Sequence, residues 1–263
     1  MNRLAQLLHV KPGEGTRAAV LFAQYFFIVA AGIAGKAARD TFFLSRYEKS
    51  LLPLMLAACA IAVAVSAAVY SRLSGKLSAR LLFDIVNVLF LLGIGLLSLN
   101  LQGQAIPGFY IWVEIIIAIL TLSFWLMASE VFDPRQGKRL FGLIGGGGSA
   151  AAIVVGASIK PYVKIFGPSS LIWVIAVVLI LQWVLGRVSL RFAHSKPARS
   201  AKPRQEPGGK RFDPYLTAIA TVVCLAAVCS QVVDFQFKMF AAEAMPKEAD
   251  LAAFFGHFYA FTG

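Results

Sequence analysis

Residues 108–129 read GFYIWVEIIIAILTLSFWLMAS, a long stretch whose single charged side chain is Glu114. An α-helix of about 20 residues, rising 1.5 Å per residue, crosses the roughly 30 Å hydrocarbon layer of a bilayer. The stretch therefore predicts a transmembrane helix. The whole chain shares this character, since 59% of its 263 residues are hydrophobic, only 14% are charged and its mean hydropathy is +0.74. This composition excludes a typical water-soluble enzyme domain.

Comparable apolar runs recur along the rest of the chain, and we expect an all-α polytopic helix bundle with seven spans and the start of an eighth. The predicted spans are Ala18 to Gly35, Leu51 to Tyr70, Leu81 to Leu99, Gly108 to Ser129, Leu140 to Ile159, Leu171 to Leu190, and Pro214 to Ala242, with the eighth run opening at Leu251. A partial helix would leave backbone groups unpaired in lipid. The cut at Gly263 therefore predicts a fragment of a longer protein.

The 25 Lys and Arg residues outnumber the 13 Asp and Glu residues and lie in short clusters between the apolar runs. Because Lys and Arg accumulate in cytoplasmic loops, these clusters predict membrane topology and not nucleic-acid binding. The N-terminal arm and the second and fourth connections have three basic residues each and the sixth has eight, against none in the third and two in the fifth, which predicts a cytoplasmic N-terminus. The first connection is the exception, because it places Lys36, Arg39, Arg46 and Lys49 on the predicted outer side.

A segment rich in Pro, Lys, Arg, Ser and Gly divides the chain, a composition typical of a solvated linker. We predict a six-helix transmembrane half over residues 1–191, a basic cytoplasmic linker over 192–212, and the start of a second transmembrane half over 213–263. Some transporters consist of two such six-helix halves, related by an axis along the membrane normal. The chain would then contain the whole first half and the start of the second.

Glycines crowd the beginning of the fifth predicted span, which reads GLIGGGGSAAAIVVG over residues 142–156. Small residues recur every four positions at 142, 146 and 150 and again at 148, 152 and 156, a pattern that lets helices approach closely. A phosphate-binding loop is the alternative, but its pattern requires Lys followed by Ser or Thr after the glycines, and that pair is missing. We therefore predict helix packing.

Ionisable residues lie within or at the ends of three predicted spans, where an isolated charge costs about 3 kcal/mol on insertion scales. They are Lys36, Arg39 and Asp40 at the outer end of the first span, Glu114 in the fourth, and Asp234 with Lys238 in the seventh. Snorkelling to the headgroups is the alternative for the lysines. It does not suit Glu114 and Asp234, whose shorter side chains have bulky apolar flanks. We expect those two to face a water-filled cavity.

Such a cavity would hold a polyanion against Lys36, Arg39 and Lys238, because phosphate and carboxylate groups bind strongly to basic side chains. The two carboxylates would release the anion by competing for the same cations, or would bind a proton. The His and Cys residues show neither metal-ligand nor catalytic spacing, so we expect no metal, no cofactor and no enzyme activity. Asp84, Asn87 and Gln231 are weaker candidates, for which hydrogen bonds between helices are the simpler interpretation.

The stretch 114–156, EIIIAILTLSFWLMASEVFDPRQGKRLFGLIGGGGSAAAIVVG, resembles the nucleotide transporters of plastids and obligate intracellular bacteria, the ATP:ADP antiporter family. The resemblance lies in Glu114 at the opening of the fourth span, the Phe124–Trp125 pair, the Lys138–Arg139 pair of the next loop, and the small-residue fifth span. Two further blocks match in pattern. The family's first span ends in basic-x-x-basic-Asp, here Lys36-Ala-Ala-Arg39-Asp40 with the two basic types exchanged, and its seventh span has an acidic residue four before a Lys, here Asp234 and Lys238.

The resemblance implies a twelve-span carrier with a major facilitator-like fold that exchanges ATP and ADP or related phosphorylated anions. It also implies that Arg39, Glu114 and Asp234 occupy positions of transport-critical charges. The expected partners are a nucleotide or phosphorylated anion and the lipid bilayer of a bacterial inner membrane, with no nucleic acid. The alternatives are a proton-coupled carrier of another solute and a non-transporting membrane anchor or sensor for soluble domains.

Overall fold

The computed structural model describes residue 11 and residues 14–99, 105–192, 214–245 and 247–262. These residues form α1 (Gly15–Arg46), α2 (Leu52–Ser74), α3 (Ala79–Ser98), α4 (Ala105–Val131), α5 (Pro134–Phe166), α6 (Leu171–Phe192), α7 (Pro214–Ala244) and α8 (Glu248–Thr262). Among the described residues, seven helices are long and apolar enough to cross a membrane. The predicted all-α helix bundle with seven spans is thereby confirmed. The predicted linker over 192–212 lies outside the described residues except for Phe192, which ends α6.

Local sequence signals set several helix ends. Ser78 caps α3 by accepting a hydrogen bond from the Leu81 backbone N–H at 3.4 Å. Asp133 precedes α5 and its backbone N–H donates to Gln136 Oε1 at 3.1 Å, while Pro134 occupies the first helical position. The other end of α5 stops at Gly167, whose φ of 80° is a left-handed conformation that other residues rarely adopt. These ends align the long helices for packing.

Helix α1 lies at the centre of the bundle and packs against α4, α5, α6 and α8. It runs eleven residues beyond the predicted end of the first span, from Gly35 on to Arg46. The predicted end was wrong because hydropathy falls at the first ionisable residues, whereas the helix continues wherever neighbouring helices supply partners for them. Lys36 and Arg39 therefore belong to α1 and not to the first connection. Arg46 is the last residue of α1, so Lys49 is the one member of that exception that follows the helix. We call the end of the bundle where α1 begins the first face and the end where α1 finishes the second face.

Two of the glycines in α5 permit a close crossing with α1. A Cβ atom at Gly147 would lie 2.4 Å from the Phe22 carbonyl oxygen, and one at Gly148 would lie 2.8 Å from the Tyr25 ring. The face that contains 148, 152 and 156 is buried. The predicted helix packing is thus confirmed on that face. A Cβ at Gly145 would meet nothing within 4 Å, so that glycine is not required for this contact.

Replacing Gly147 by Ala should destabilise the bundle, because the Phe22 carbonyl is backbone and α1 must move away from α5. Overpacking of this kind costs about 1–3 kcal/mol. We expect a lower apparent melting temperature in detergent, measured by size-exclusion chromatography after heating. The matched control is Gly145→Ala, which adds the same methyl group in open space. Equal melting temperatures for the two variants would show that the crossing tolerates a side chain.

Polar side chains also join the helices. Gln182 donates a hydrogen bond to Asn87, and Asp84 accepts hydrogen bonds from Trp183 Nε1 at 2.8 Å and from Arg187 Nε at 2.7 Å. These contacts link α3 to α6. The interpretation of Asp84 and Asn87 as interhelical hydrogen-bonding groups is therefore confirmed.

Glu14 ties the beginning of α1 to α5 at the first face. Its carboxylate accepts hydrogen bonds from Arg139 Nη2 and Gln136 Nε2, each at 3.0 Å, and from the Lys11 backbone N–H at 3.1 Å. Burial acts to raise the pKa of Glu14, but the Lys11 N–H and the Arg139 guanidinium favour the charged form more strongly and the pKa is lowered. The stabilisation from this contact is therefore present at neutral pH and is lost as the pH falls through the lowered pKa of Glu14.

Candidate functional site

A cavity of about 770 Å³ lies among α1, α2, α4, α7 and α8. Of the six residues predicted to bind substrate, the cavity lining includes Lys36, Arg39, Glu114, Asp234 and Lys238. The sixth, Asp40, is completely buried behind this lining and contacts two of the lining cations. We refer to these six residues as the charge cluster. The structure brings all of them together, although they come from three helices far apart in sequence.

Helical periodicity places the members of the charge cluster on the inner sides of their helices. Residues four apart lie on one helix face. Lys36 and Asp40 have this spacing in α1, and so do Asp234 and Lys238 in α7. Helix α4 contributes one member, Glu114, which lies in the apolar run that predicts the fourth span.

Ion pairs connect most of the charge cluster. Arg39 Nη1 donates to Glu114 Oε2, and Arg39 Nε lies 3.6 Å from Asp40 Oδ1. Lys238 Nζ lies 2.7 Å from Asp234 Oδ2 and 3.3 Å from Asp40 Oδ1. Asp40 is thus shared between the two cations. Glu114 and Asp234 leave 31% and 30% of their side chains exposed, so the outer carboxylates face the cavity while Asp40 does not.

Lys36 differs from the other two cations. In the part of the chain that the structure describes, no carboxylate oxygen lies within the 4.0 Å that defines an ion pair with Lys36. Its Nζ instead lies 5.6 Å from the centroid of the Tyr259 ring. Because a ring does not neutralise a cation, Lys36 presents its charge to the cavity.

Several residues that the sequence did not single out also line the cavity. Tyr110, Tyr259 and Cys59 are buried, and Phe237 and Phe258 stack with ring centroids 4.0 Å apart. Tyr110 lies four residues before Glu114, a spacing that could have identified it as a neighbour of the carboxylate. Nothing in the sequence marks Tyr259 or Cys59. Of the weaker sequence candidates, Gln231 lines the cavity as well.

The cavity extends from the charge cluster toward the first face. On α1 the lining residues lie between positions 28 and 39. On α4, which runs antiparallel to α1, they lie between positions 110 and 121, so both sets extend from the charge cluster toward the first face. On the other side of the cluster, Arg46 Nη2 at the end of α1 lies 2.9 Å from Glu248 Oε1 at the start of α8. This ion pair joins α1 to α8 between the charge cluster and the second face.

Comparison with known proteins gives one partial similarity. No protein-family model matches the chain, and no solved structure matches it. Over 190 residues the chain is 26% identical to ADP,ATP carrier protein 1 of Chlamydia trachomatis. The similarity is to a transporter. The aligned part covers 62% of this chain, and the chain spans only about a third of the carrier's length, 36%.

The seven apolar helices and the similarity to a carrier together support a multi-pass membrane transporter. A transporter requires a polar cavity within the bundle, and intramembrane ionisable residues are typical of substrate pathways. The charge cluster at one end of the cavity has this character. Within the described ranges, His, Cys, Asp and Glu form no group able to hold a metal ion.

Proposed function

We propose that the protein is a secondary transporter that exchanges nucleotides of the ATP and ADP type, or related phosphorylated anions, by alternating access. The observation that carries the proposal is the cavity with Lys36, Arg39 and Lys238 at one end. Its volume, about 770 Å³, lies in the range of small-molecule sites, and three converging cations suit a polyphosphate. The partial similarity to an ADP,ATP carrier protein supports this choice of cargo.

Cargo binding would exchange one set of ion pairs for another. The planar guanidinium of Arg39 suits a bidentate contact with phosphate, which would displace Glu114. Phosphate at Lys238 would similarly displace Asp234. Both displaced carboxylates face the cavity, so they regain water and are not left buried and unpaired. This explains why these two acidic residues are partly exposed while Asp40 is fully buried.

The same exchange would couple cargo to a conformational change. Lys238 on α7 lies 3.3 Å from Asp40 on α1, and this contact lies at the end of the cavity nearer the second face. A phosphate that binds Lys238 weakens its attraction to Asp40. A ligand shifts a conformational equilibrium only by the difference between its affinities for the two states. Competition between the phosphate and Asp40 for Lys238 supplies such a difference. Cargo would thereby favour opening at the second face.

The orientation follows from the distribution of Lys and Arg. The basic clusters favour a bundle in the inner membrane of a bacterial cell, with the first face and the N-terminus on the cytoplasmic side. The cavity would then be directed toward the cytoplasm in this structure. The segment over 192–212 would be a cytoplasmic linker between two transmembrane halves.

Counter-exchange in proteoliposomes tests the proposal. Labelled ATP is supplied outside vesicles that contain the purified protein and are loaded with ADP, with inorganic phosphate, or with buffer alone. We expect uptake only with a phosphorylated counter-substrate inside, and the fastest uptake with ADP. Uptake that follows a pH gradient and ignores nucleotides would instead favour a proton-coupled carrier, for which the partly exposed Glu114 and Asp234 are the specific candidates. Absence of any flux would favour the anchor or sensor.

A further inference from the structure

We propose that Tyr110 and Tyr259 are the positioning residues of the charge cluster, with rings that hold the cations and hydroxyl groups that hold the buried ion pair. Of the two tests below, the first measures ATP exchange and therefore rests on the proposed function. The positioning role itself rests on geometry, and a second test measures it without any cargo.

Tyr110 contacts both cations that have carboxylate partners. The side chain is completely buried in α4. Arg39 Cζ lies 4.5 Å and Lys238 Nζ 5.9 Å from its ring centroid, and Lys238 Nζ donates to its hydroxyl oxygen at 3.3 Å. One residue therefore fixes the separation between a cation of α1 and a cation of α7.

Tyr259 performs the corresponding role from α8. Lys36 Nζ lies 5.6 Å from its ring centroid, and its hydroxyl donates to Asp40 Oδ2 at 2.5 Å. A carboxylate without water, such as Asp40, needs hydrogen-bond donors to remain charged in the protein interior. The hydroxyl supplies one donor, and the ring of the same residue orients Lys36 toward the cavity.

Rings have an advantage over carboxylates as partners for cations that must bind an anionic cargo. The ring quadrupole attracts a cation but carries no net charge, so the cation keeps its full attraction for phosphate. A carboxylate at the same place would compete with the cargo. This difference matters most for Lys36, which has no ion pair of less than 4.0 Å with the described residues.

The first test separates ring from hydroxyl in the exchange assay. Tyr259→Phe retains the ring and loses the hydrogen bond to Asp40, so the KM for ATP should stay within about twofold while the maximal rate falls. Tyr259→Leu also loses the ring, and the KM should rise by about fivefold to thirtyfold, as expected for a desolvated cation–π contact. Wild-type KM in the Leu variant, or an equal rise in both variants, would overturn the role of the ring.

The second test uses Cys59 as a reporter of the cavity's electrostatic potential. Cys224 and Cys229 on α7 are exposed and are replaced by Ser, which leaves Cys59 as the thiol. The measurement is the ratio of the modification rates by a negatively charged and a positively charged methanethiosulfonate. For Lys36→Gln we expect this ratio to fall, because both side chains line the cavity and a positive charge there attracts the anionic reagent. Coulomb's law gives about a fourfold fall for a unit charge at a separation of about 10 Å in water.

The tyrosine variants are then compared by the same ratio. Tyr259→Leu should reproduce part of the fall because Lys36 is no longer held, whereas Tyr259→Phe should retain the wild-type ratio. Tyr162→Leu, at a half-buried position of α5 outside the cavity lining, is the matched control. A ratio that falls with Lys36→Gln but not with Tyr259→Leu would overturn the proposal. If the ratios behave as expected and ATP is not transported, the positioning role stands and the nucleotide cargo does not.

Discussion

Replacing Arg39 by Gln is expected to reduce nucleotide exchange by about a hundredfold or more while the protein still inserts into the membrane. Arg39 lines the cavity and is the only member of the charge cluster with a planar, bidentate donor group. A charge-assisted hydrogen bond contributes about 1.5–3 kcal/mol, so loss of two such contacts to phosphate corresponds to about a hundredfold or more in affinity. Counter-exchange at low ATP concentration, normalised to the amount of reconstituted protein, measures the effect.

Two companion variants show whether the loss is specific to the cavity. Arg39→Lys keeps the charge but not the fork, and an intermediate rate is expected. Arg187→Gln removes a guanidinium whose ion pair with Asp84 leaves 59% of the Arg187 side chain exposed. Exposed pairs contribute about 0–1 kcal/mol, so this variant should exchange nearly as the wild type does. Normal exchange by Arg39→Gln would remove Arg39 from the proposed phosphate site.

Replacing Lys238 by Gln is expected to lower the stability of the bundle and to abolish exchange together. The side chain is 1% exposed and pairs with both Asp40 and Asp234. Removing one member of a buried ion pair costs up to about 3–5 kcal/mol, and among the described residues Asp40 would then keep only the longer contact with Arg39 Nε, at 3.6 Å, as a cationic partner. Thermal melting in detergent and counter-exchange, both on the purified protein, measure the two effects.

A double variant separates stability from transport. Combining Lys238→Gln with Asp40→Asn removes both charges, so neither member of the buried pair is left as a charge without its partner. We expect the double variant to melt at a higher temperature than Lys238→Gln alone and still to lack exchange. A double variant that regained exchange would show that Lys238 serves only the structure. Asp40→Asn alone should be the mildest of the three, because Lys238 retains Asp234.

The sequence was sufficient to predict the helices and most of the charge cluster, for a common physical reason. Long apolar runs admit few structures in lipid, and a charge inside such a run needs a partner or water. The same constraint marks Glu114 and Asp234 in the sequence, because each lies within an apolar run. It assigned Asp40 to the same list, but the structure places that carboxylate behind the cavity wall, where it holds Arg39 and Lys238.

The remaining features depend on contacts between helices, which hydropathy does not report. The first span was predicted to end at Gly35 because its charged residues resemble a loop, although neighbouring helices supply their partners. Tyr110 and Tyr259 are indistinguishable in the sequence from other aromatic residues of apolar helices. Their contacts with Arg39 and Lys36 arise only when α4 and α8 pack against α1. A similar limit applies to the glycines of α5, since only one face of the run crosses α1 closely.

Protection of Cys59 by nucleotide tests the central claim most directly, because the thiol lines the proposed binding cavity. The protein with Ser in place of Cys224 and Cys229 is treated with a small maleimide, alone or with saturating ATP, ADP or adenosine. We predict that ATP and ADP slow modification by about tenfold, that adenosine protects weakly, and that Arg39→Gln removes the protection. Modification of the folded protein at the same rate with and without ATP and ADP would contradict the assignment of the cavity as a nucleotide site.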